Sequence, residues 1–153
     1  MMIRNINSAL ILFVFMIFTN VIFTQNDYTT VNDFGKQRQT DGVQLVFSNI
    51  EKDFNSSDIS SLSKYFGSQT YFSLENGVNG YYSSNQAYYV LESFFKDYRV
   101  VSFKLNKIRT DPDNPSATGV YNYDLNGKRD SVQVYLSIKK VGESWKITQI
   151  SID

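Results

Sequence analysis

The 153-residue chain contains no cysteine and no histidine, and these two absences remove most familiar active-site chemistry. Without cysteine there is no disulfide, no thiolate nucleophile, no lipidated N-terminal cysteine and no Cys-type zinc site. Without histidine, the commonest metal ligand and the usual general base at neutral pH are gone. An excess of one charge is lacking as well. Lysine plus arginine number 15 and aspartate plus glutamate 15, so no long-range field gathers nucleic acid or an anionic membrane. No nucleic-acid partner, cofactor or metal is expected. The longest apolar run, ALILFVFMIF from Ala9 to Phe18, falls short of the roughly 18 to 20 residues that a membrane-spanning helix needs.

That run follows Arg4, the one positive charge near the start, and so has the layout of a secretory signal. Residues 1–24 read as a signal peptide cleaved near Thr24 or Gln25, with an uncleaved membrane anchor as the alternative. The expected location is periplasmic or secreted, with no membrane contact after cleavage. Residues 25–41, QNDYTTVNDFGKQRQTD, have little periodicity and many polar side chains, and read as a polar linker. Residues 42–153 then form one domain, and a hydrophobic content of 42% is enough to build its core.

Within it, Val43, Val46, Phe47, Ile50 and Phe54 recur at helical spacing. Ser57 is placed to cap a short second helix carrying Ile59 and Leu62, with Phe66 on the same side. The period then changes from helical to alternating. Thr70, Phe72 and Leu74 alternate with Tyr71 and Ser73, and ENGVNG is turn chemistry, so residues 69–82 read as a hairpin. Ser83 and Gln86 make a capping box for a third helix, whose apolar stripe is Ala87, Leu91, Phe94 and Tyr98 and whose outer side carries Tyr89.

The last third alternates throughout. VVSFKL puts Val101, Phe103 and Leu105 on one face, and Asn126-Gly127 is a two-residue hairpin turn. That turn sets Tyr121 opposite Val132, Tyr123 opposite Asp130 and Asp124 opposite Arg129. Tyr123 and Asp130 then point inward near the hairpin tip. Carried across the turn at Gly142, the same parity puts Trp145, Ile147 and Gln149 inside and Ile150 and Ile152 outside.

Helices ahead of a run of strands imply an α+β domain of order α-α-β-β-α-β-β-β-β, with three helices packed on a strongly bent antiparallel sheet. FNSSDISSLSKYF (Phe54 to Phe66), YYSSNQAYYVLESFF (Tyr81 to Phe95) and YLSIKKVGESWKITQISID (Tyr135 to Asp153) resemble the nuclear-transport-factor-2-like, or cystatin-like, superfamily. Within it they resemble a family of exported bacterial proteins described only as a domain of unknown function, 4783. The resemblance covers about Gly42 to Asp153 and implies a cone whose helices and concave sheet enclose a pocket.

In similar enzymes, such as steroid isomerases, small dehydratases and epoxide hydrolases, polar side chains inside the cone do the chemistry. None of their motifs lies on this chain residue by residue. The expected pocket residues are Phe72, Leu91, Phe94, Tyr98, Phe103, Tyr121, Tyr123, Trp145 and Gln149. The leading expectation is a non-enzymatic exported domain that binds a small apolar or aromatic ligand or a protein partner. One alternative is an isomerase- or hydratase-type enzyme using Asp130 as base and Tyr123 as oxyanion donor. Another is a homodimer formed through Val120, Gln133, Tyr135, Thr148, Ile150 and Ile152 on the outer sheet face.

Overall fold

A computed structural model describes residues 27–153. The signal-peptide assignment and its cleavage site lie outside the described residues. Thr40–Asp153 form one compact unit, and the described residues before Thr40 lie outside it.

Helix α1 runs Asp27–Asn55, so most of the segment expected to be a linker is helical. Its periodicity is absent because residues 33–38 are exposed on every side, and a helix solvated all round carries no apolar stripe. The stripe begins at Val43 and continues through Phe47, Ile50 and Phe54, all fully buried. Ser57 ends the turn beyond α1 with φ +52, the left-handed region usually given to glycine. That conformation disqualifies it as the N-cap of α2 (Ile59–Leu62), and Asp58 takes the role instead, accepting the Ser61 N–H at 2.9 Å. The bond holds the Asp58 carboxyl below the usual carboxylate range.

A short 3-10 turn, Ser63–Tyr65, leads into strands β1 (Phe66–Leu74) and β2 (Asn79–Ser83) and then helix α3 (Ser84–Asp97). The capping box is formed: the Ser83 N–H and hydroxyl both donate to Gln86 Oε1, at 2.9 and 2.8 Å. Strands β3 (Arg99–Arg109), β4 (Ser116–Leu125), β5 (Lys128–Val141) and β6 (Ser144–Ile152) complete the order expected from the sequence. The six strands lie in the order β2-β1-β6-β5-β4-β3, and every neighbouring pair is antiparallel except β1 with β6, which makes the sheet mixed.

The β4-β5 register is the one the Asn-Gly turn dictates, with Tyr121 opposite Val132, Tyr123 opposite Asp130 and Asp124 opposite Arg129. Asn126 and Gly127 both have positive φ, as a two-residue turn of this kind requires. Elsewhere the register shifts at four places, once between β1 and β6 from Phe66 to Tyr71 and three times by a single extra residue that breaks the alternation. At Val101 one extra residue in β3 leaves Val100 opposite Tyr123 and Ser102 opposite Asn122, so Val101 is 45% exposed rather than buried with Phe103 and Leu105. At Asn106 a second extra residue brings Lys107 opposite Thr118 and Arg109 opposite Ser116. Gly119 permits this crowding, since a Cβ there would collide with the Lys104 carbonyl and touch Leu105. At Thr148, Ile138 pairs with Ile147 while Ser137 pairs with Gln149, so the parity of β6 reverses. Bulges of this kind bend a sheet and re-aim its side chains.

The third reversal corrects the expected faces. Ile150 and Ile152 are fully buried opposite Leu136 and Val134, and belong to the core rather than to an outer patch. Gln149 moves to the outer face. The core therefore lies between the inner sheet face and the helices, from Phe72 and Leu74 through Ile147, Ile150 and Leu136 to Tyr121 and Phe103.

Candidate functional site

Two surfaces are available on such a domain, the inside of the cone and the outside of its sheet. On the inside, α3 supplies Leu91, Phe94 and Phe95, all buried, and its C-cap Tyr98. Phe94 stacks on Tyr98 with centroids 4.6 Å apart and planes 5° from parallel, and Tyr98 meets Tyr123 edge-on at 5.0 Å. Tyr121 touches Phe94, Phe95, Phe103 and Tyr123 at 5.9 to 6.4 Å, and Phe54 closes the group against Phe103 at 4.8 Å and Phe95 at 5.3 Å. Contacts at such distances are those of packed rings.

Of the residues expected to line a pocket, Phe72, Leu91, Phe94, Phe103 and Tyr121 are at most 2% exposed. The Tyr121 hydroxyl donates to the Tyr98 carbonyl at 2.6 Å, and burial pushes its phenol well above the ordinary range. Trp145 is half-buried against the same core, near Gly42. Tyr123 is buried too. Its phenol is raised first by burial, then by the neighbouring Asp130 carboxylate.

Asp130 and Gln149 depart from expectation. Asp130 stands opposite Tyr123 but is exposed, because the β4-β5 hairpin tip leaves it open to water, and its carboxylate accepts the N–H of Ser131 at 2.8 Å. The apolar surroundings that would turn it into a base are absent. Gln149 lies on the opposite face of the sheet from Tyr98 and Tyr123, donating to the Ser151 hydroxyl at 2.9 Å. Among the described residues, no buried side-chain nitrogen or oxygen lacks a hydrogen-bond partner. Within the ring cluster the fully buried Tyr121 hydroxyl is thus satisfied by the Tyr98 carbonyl, and Tyr123 borders an open cleft of about 400 Å³ together with Asp130.

The outer face is built differently. Backbone pairing aligns one row across all six strands, Arg109, Ser116, Ser137, Gln149, Tyr71 and Tyr81, and beside it a second, Lys107, Thr118, Tyr135, Ser151, Ser73 and Asn79. With strands about 4.8 Å apart, each row is roughly 24 Å long. Hydroxyl, amide and tyrosine side chains fill the rows, two cations mark one end, and neither an acid nor an aliphatic side chain interrupts them. Tyr71 and Tyr81 meet edge-on at 5.1 Å, and Tyr71 donates to Asn79 Oδ1 at 2.9 Å. Ser137 and Thr148 share a hydrogen bond of 2.7 Å. The cationic end is a cleft of about 350 Å³ lined by Lys107, Arg109, Ser116, Ala117, Thr118 and Tyr135.

Reading the alternation strictly missed these rows. The two bulges that assemble them, at Asn106 and Thr148, sit inside unbroken strand patterns; the one available signal was Gly119, a glycine in mid-strand.

Residues 47–153 match the family model described as a domain of unknown function, DUF4783. No curated protein matches the chain. Among solved structures, a DUF4783 protein from Bacteroides uniformis superposes with a TM-score of 0.63 at 21% identity, covering 69% of this chain and 94% of its own. One from Bacteroides ovatus gives 0.61 at 24% identity, covering 69% and 91%. A hypothetical protein with a ketosteroid isomerase-like fold from Catenulispora acidiphila, in complex with trimethylamine, gives 0.57 at 13% identity, covering 71% and 83%. At such identities the likeness concerns the fold, which is nuclear-transport-factor-2-like.

Proposed function

The chain belongs to the DUF4783 family, and we propose that it serves as an exported, non-enzymatic binding domain whose working surface is the outer face of the sheet. The observation that carries this reading is the aromatic packing between α3 and the sheet. Phe94, Phe103 and Tyr121 occupy the region where the related fold could hold a ligand, and they contact one another rather than lining a space; Tyr123 and Phe95 join that packing and also border open surface clefts, the first together with Asp130. Export is supported by Arg4 and the apolar run Ala9 to Phe18.

The enzymatic alternative draws no support from Asp130, which is exposed. The dimer alternative loses Ile150 and Ile152 to the core, and the outer face is more polar than the apolar centre of a stable homodimer interface.

The test is thermal melting of the protein with a panel of apolar probes, indole, naphthalene and a steroid. A ligand that binds the native state raises the melting temperature. The wild type is expected to show no shift with any of them, whereas Phe94→Ala, which opens a space lined by rings, gains a response to indole. A saturable rise in the wild type would overturn the reading, because it would place an open apolar site inside the cone.

A further inference from the structure

The outer face combines features that point to one kind of occupant. Its two rows are hydroxyls, amides and three tyrosines, extended over roughly 24 Å at strand spacing. Tyr81 is 70% and Tyr135 38% exposed, so each presents a flat apolar body beside hydrogen-bonding neighbours. Such a surface suits a partner that is itself long, hydroxyl-rich and faced with small apolar patches.

One end of the face is charged. The side chains of Lys107 and Arg109 have no ion-pair or hydrogen-bond partner among the described residues, whereas Lys104, three residues before Lys107, is held by Glu51 at 2.9 Å. The nearest acids in sequence, Asp111 and Asp113, lie in the adjoining loop, where Asp111 accepts the N–H groups of Asp113 and Asn114. Ser116 lines the cleft beside the two cations with a hydroxyl able to donate, whereas the Thr118 hydroxyl gives its proton to Asn106 Oδ1 at 3.1 Å. A guanidinium, an ammonium and a hydroxyl donor lining one cleft form a receptor for one anionic group, carboxylate or sulfate.

We infer that the outer face binds an acidic saccharide chain, seating an anionic group between Lys107 and Arg109, stacking a sugar ring on Tyr135 and running toward Tyr71 and Tyr81. The inference rests on the proposed function and names its ligand. Beyond the two cations the face offers hydroxyls, amides and tyrosines, which match the hydroxyls and apolar ring faces that every sugar unit presents.

The experiment is isothermal titration of the protein with three oligosaccharides of equal length, an oligogalacturonate, a sulfated galactan fragment and a neutral galactan fragment. Binding is expected for one or both acidic chains and to be at least about tenfold weaker for the neutral one. Oligogalacturonate alone identifies a carboxylate as the bound group, and the sulfated chain alone a sulfate. The double variant Lys107→Ala/Arg109→Ala is expected to abolish the preference for acid, and Tyr135→Ala to weaken binding about tenfold or more. Unchanged circular dichroism and melting temperature establish that these surface variants are folded. Equal affinity for neutral and acidic chains, binding unaffected by the double variant, or no binding to any of the three would each overturn the inference. Those failures leave the proposed function to the apolar-probe test, which decides it separately.

Discussion

Asn55, near the end of the first helix, holds Phe103 by both backbone groups: its Nδ2 donates to the Phe103 carbonyl at 2.7 Å, and the Phe103 N–H donates to its Oδ1 at 2.8 Å. One side-chain amide thus stands in for a neighbouring strand along the edge of β3. One turn earlier in the helix, Glu51 accepts the Leu105 N–H at 2.7 Å and pairs with Lys104. An edge strand with open N–H and C=O groups is a template for unwanted pairing, and the helix covers this one. Asn55→Ala is expected to cost about 1 to 2 kcal/mol, two ordinary hydrogen bonds at a partly exposed site. Amide hydrogen exchange should quicken selectively at Phe103 while Leu105 stays protected. Uniform quickening along β3 would show that Asn55 stabilises the strand only in a general way.

Phe94 and Tyr89 test the orientation of α3. Phe94 is fully buried among rings, and Tyr89 is 67% exposed, in ring contact with Tyr88. Phe94→Ala should destabilise by about 3 to 5 kcal/mol in urea unfolding. Tyr89→Ala should cost under about 1 kcal/mol. Comparable losses would mean the helix is rotated about its axis.

Tyr121 gives a dependence on alkaline pH. Its phenol is raised in the folded protein by burial, so its contribution is fully present below the unfolded-chain value near 10 and is lost as pH climbs from there toward the folded value. Tyr121→Phe removes the bond to the Tyr98 carbonyl and should cost about 0.5 to 1.5 kcal/mol at neutral pH. The gap between variant and wild type should shrink above about pH 10, because the variant has no phenol to titrate there. Urea midpoints at pH 7 and at about pH 10.5 measure it, and a constant gap would mean that Tyr121 ionises as readily folded as unfolded.

Thr148 carries the reversal of β6. Deleting it removes the extra residue, so that Ile147, Gln149, Ile150, Ser151 and Ile152 alternate regularly against Ile138, Ser137, Leu136, Tyr135 and Val134, and Ile150 and Ile152 stay inward. The side-chain loss is then the hydrogen bond with Ser137, and the cost should be about 0.5 to 1.5 kcal/mol. A loss above about 4 kcal/mol, the cost of turning both isoleucines out of the core, would contradict the bulge. Cross-strand NOEs pairing Ile138 with Ile147 and Ser137 with Gln149 locate it directly.

These bulges also mark where the sequence was and was not legible. The β4-β5 hairpin is regular, and the pairing read outward from Asn126-Gly127 holds for all ten pairs. The apolar stripes of α1 and α3 were equally readable, because helical period survives wherever one face is buried. Val101, Gln149, Ile150 and Ile152 were assigned to the wrong faces for one reason. Each lies at or beyond an extra residue, and alternation cannot report an insertion when the residues on both sides are β-formers. Residues 25–41 were read as a linker, and over residues 33–38 the helix has no buried face and so no period to find. Asp130 shows a further limit: register fixes the face a residue points to, not whether anything covers that face.

The most direct test of the account is amide chemical-shift mapping of the isotope-labelled protein titrated with the acidic oligosaccharide that it binds in calorimetry, or with oligogalacturonate if none is bound. The account predicts perturbed amides at Lys107, Arg109, Ser116, Thr118, Tyr135 and Ser137 on the outer face, with Leu91, Phe94 and Tyr98 unmoved. Perturbations centred on Leu91, Phe94 and Tyr98, or none on the outer face, would contradict it.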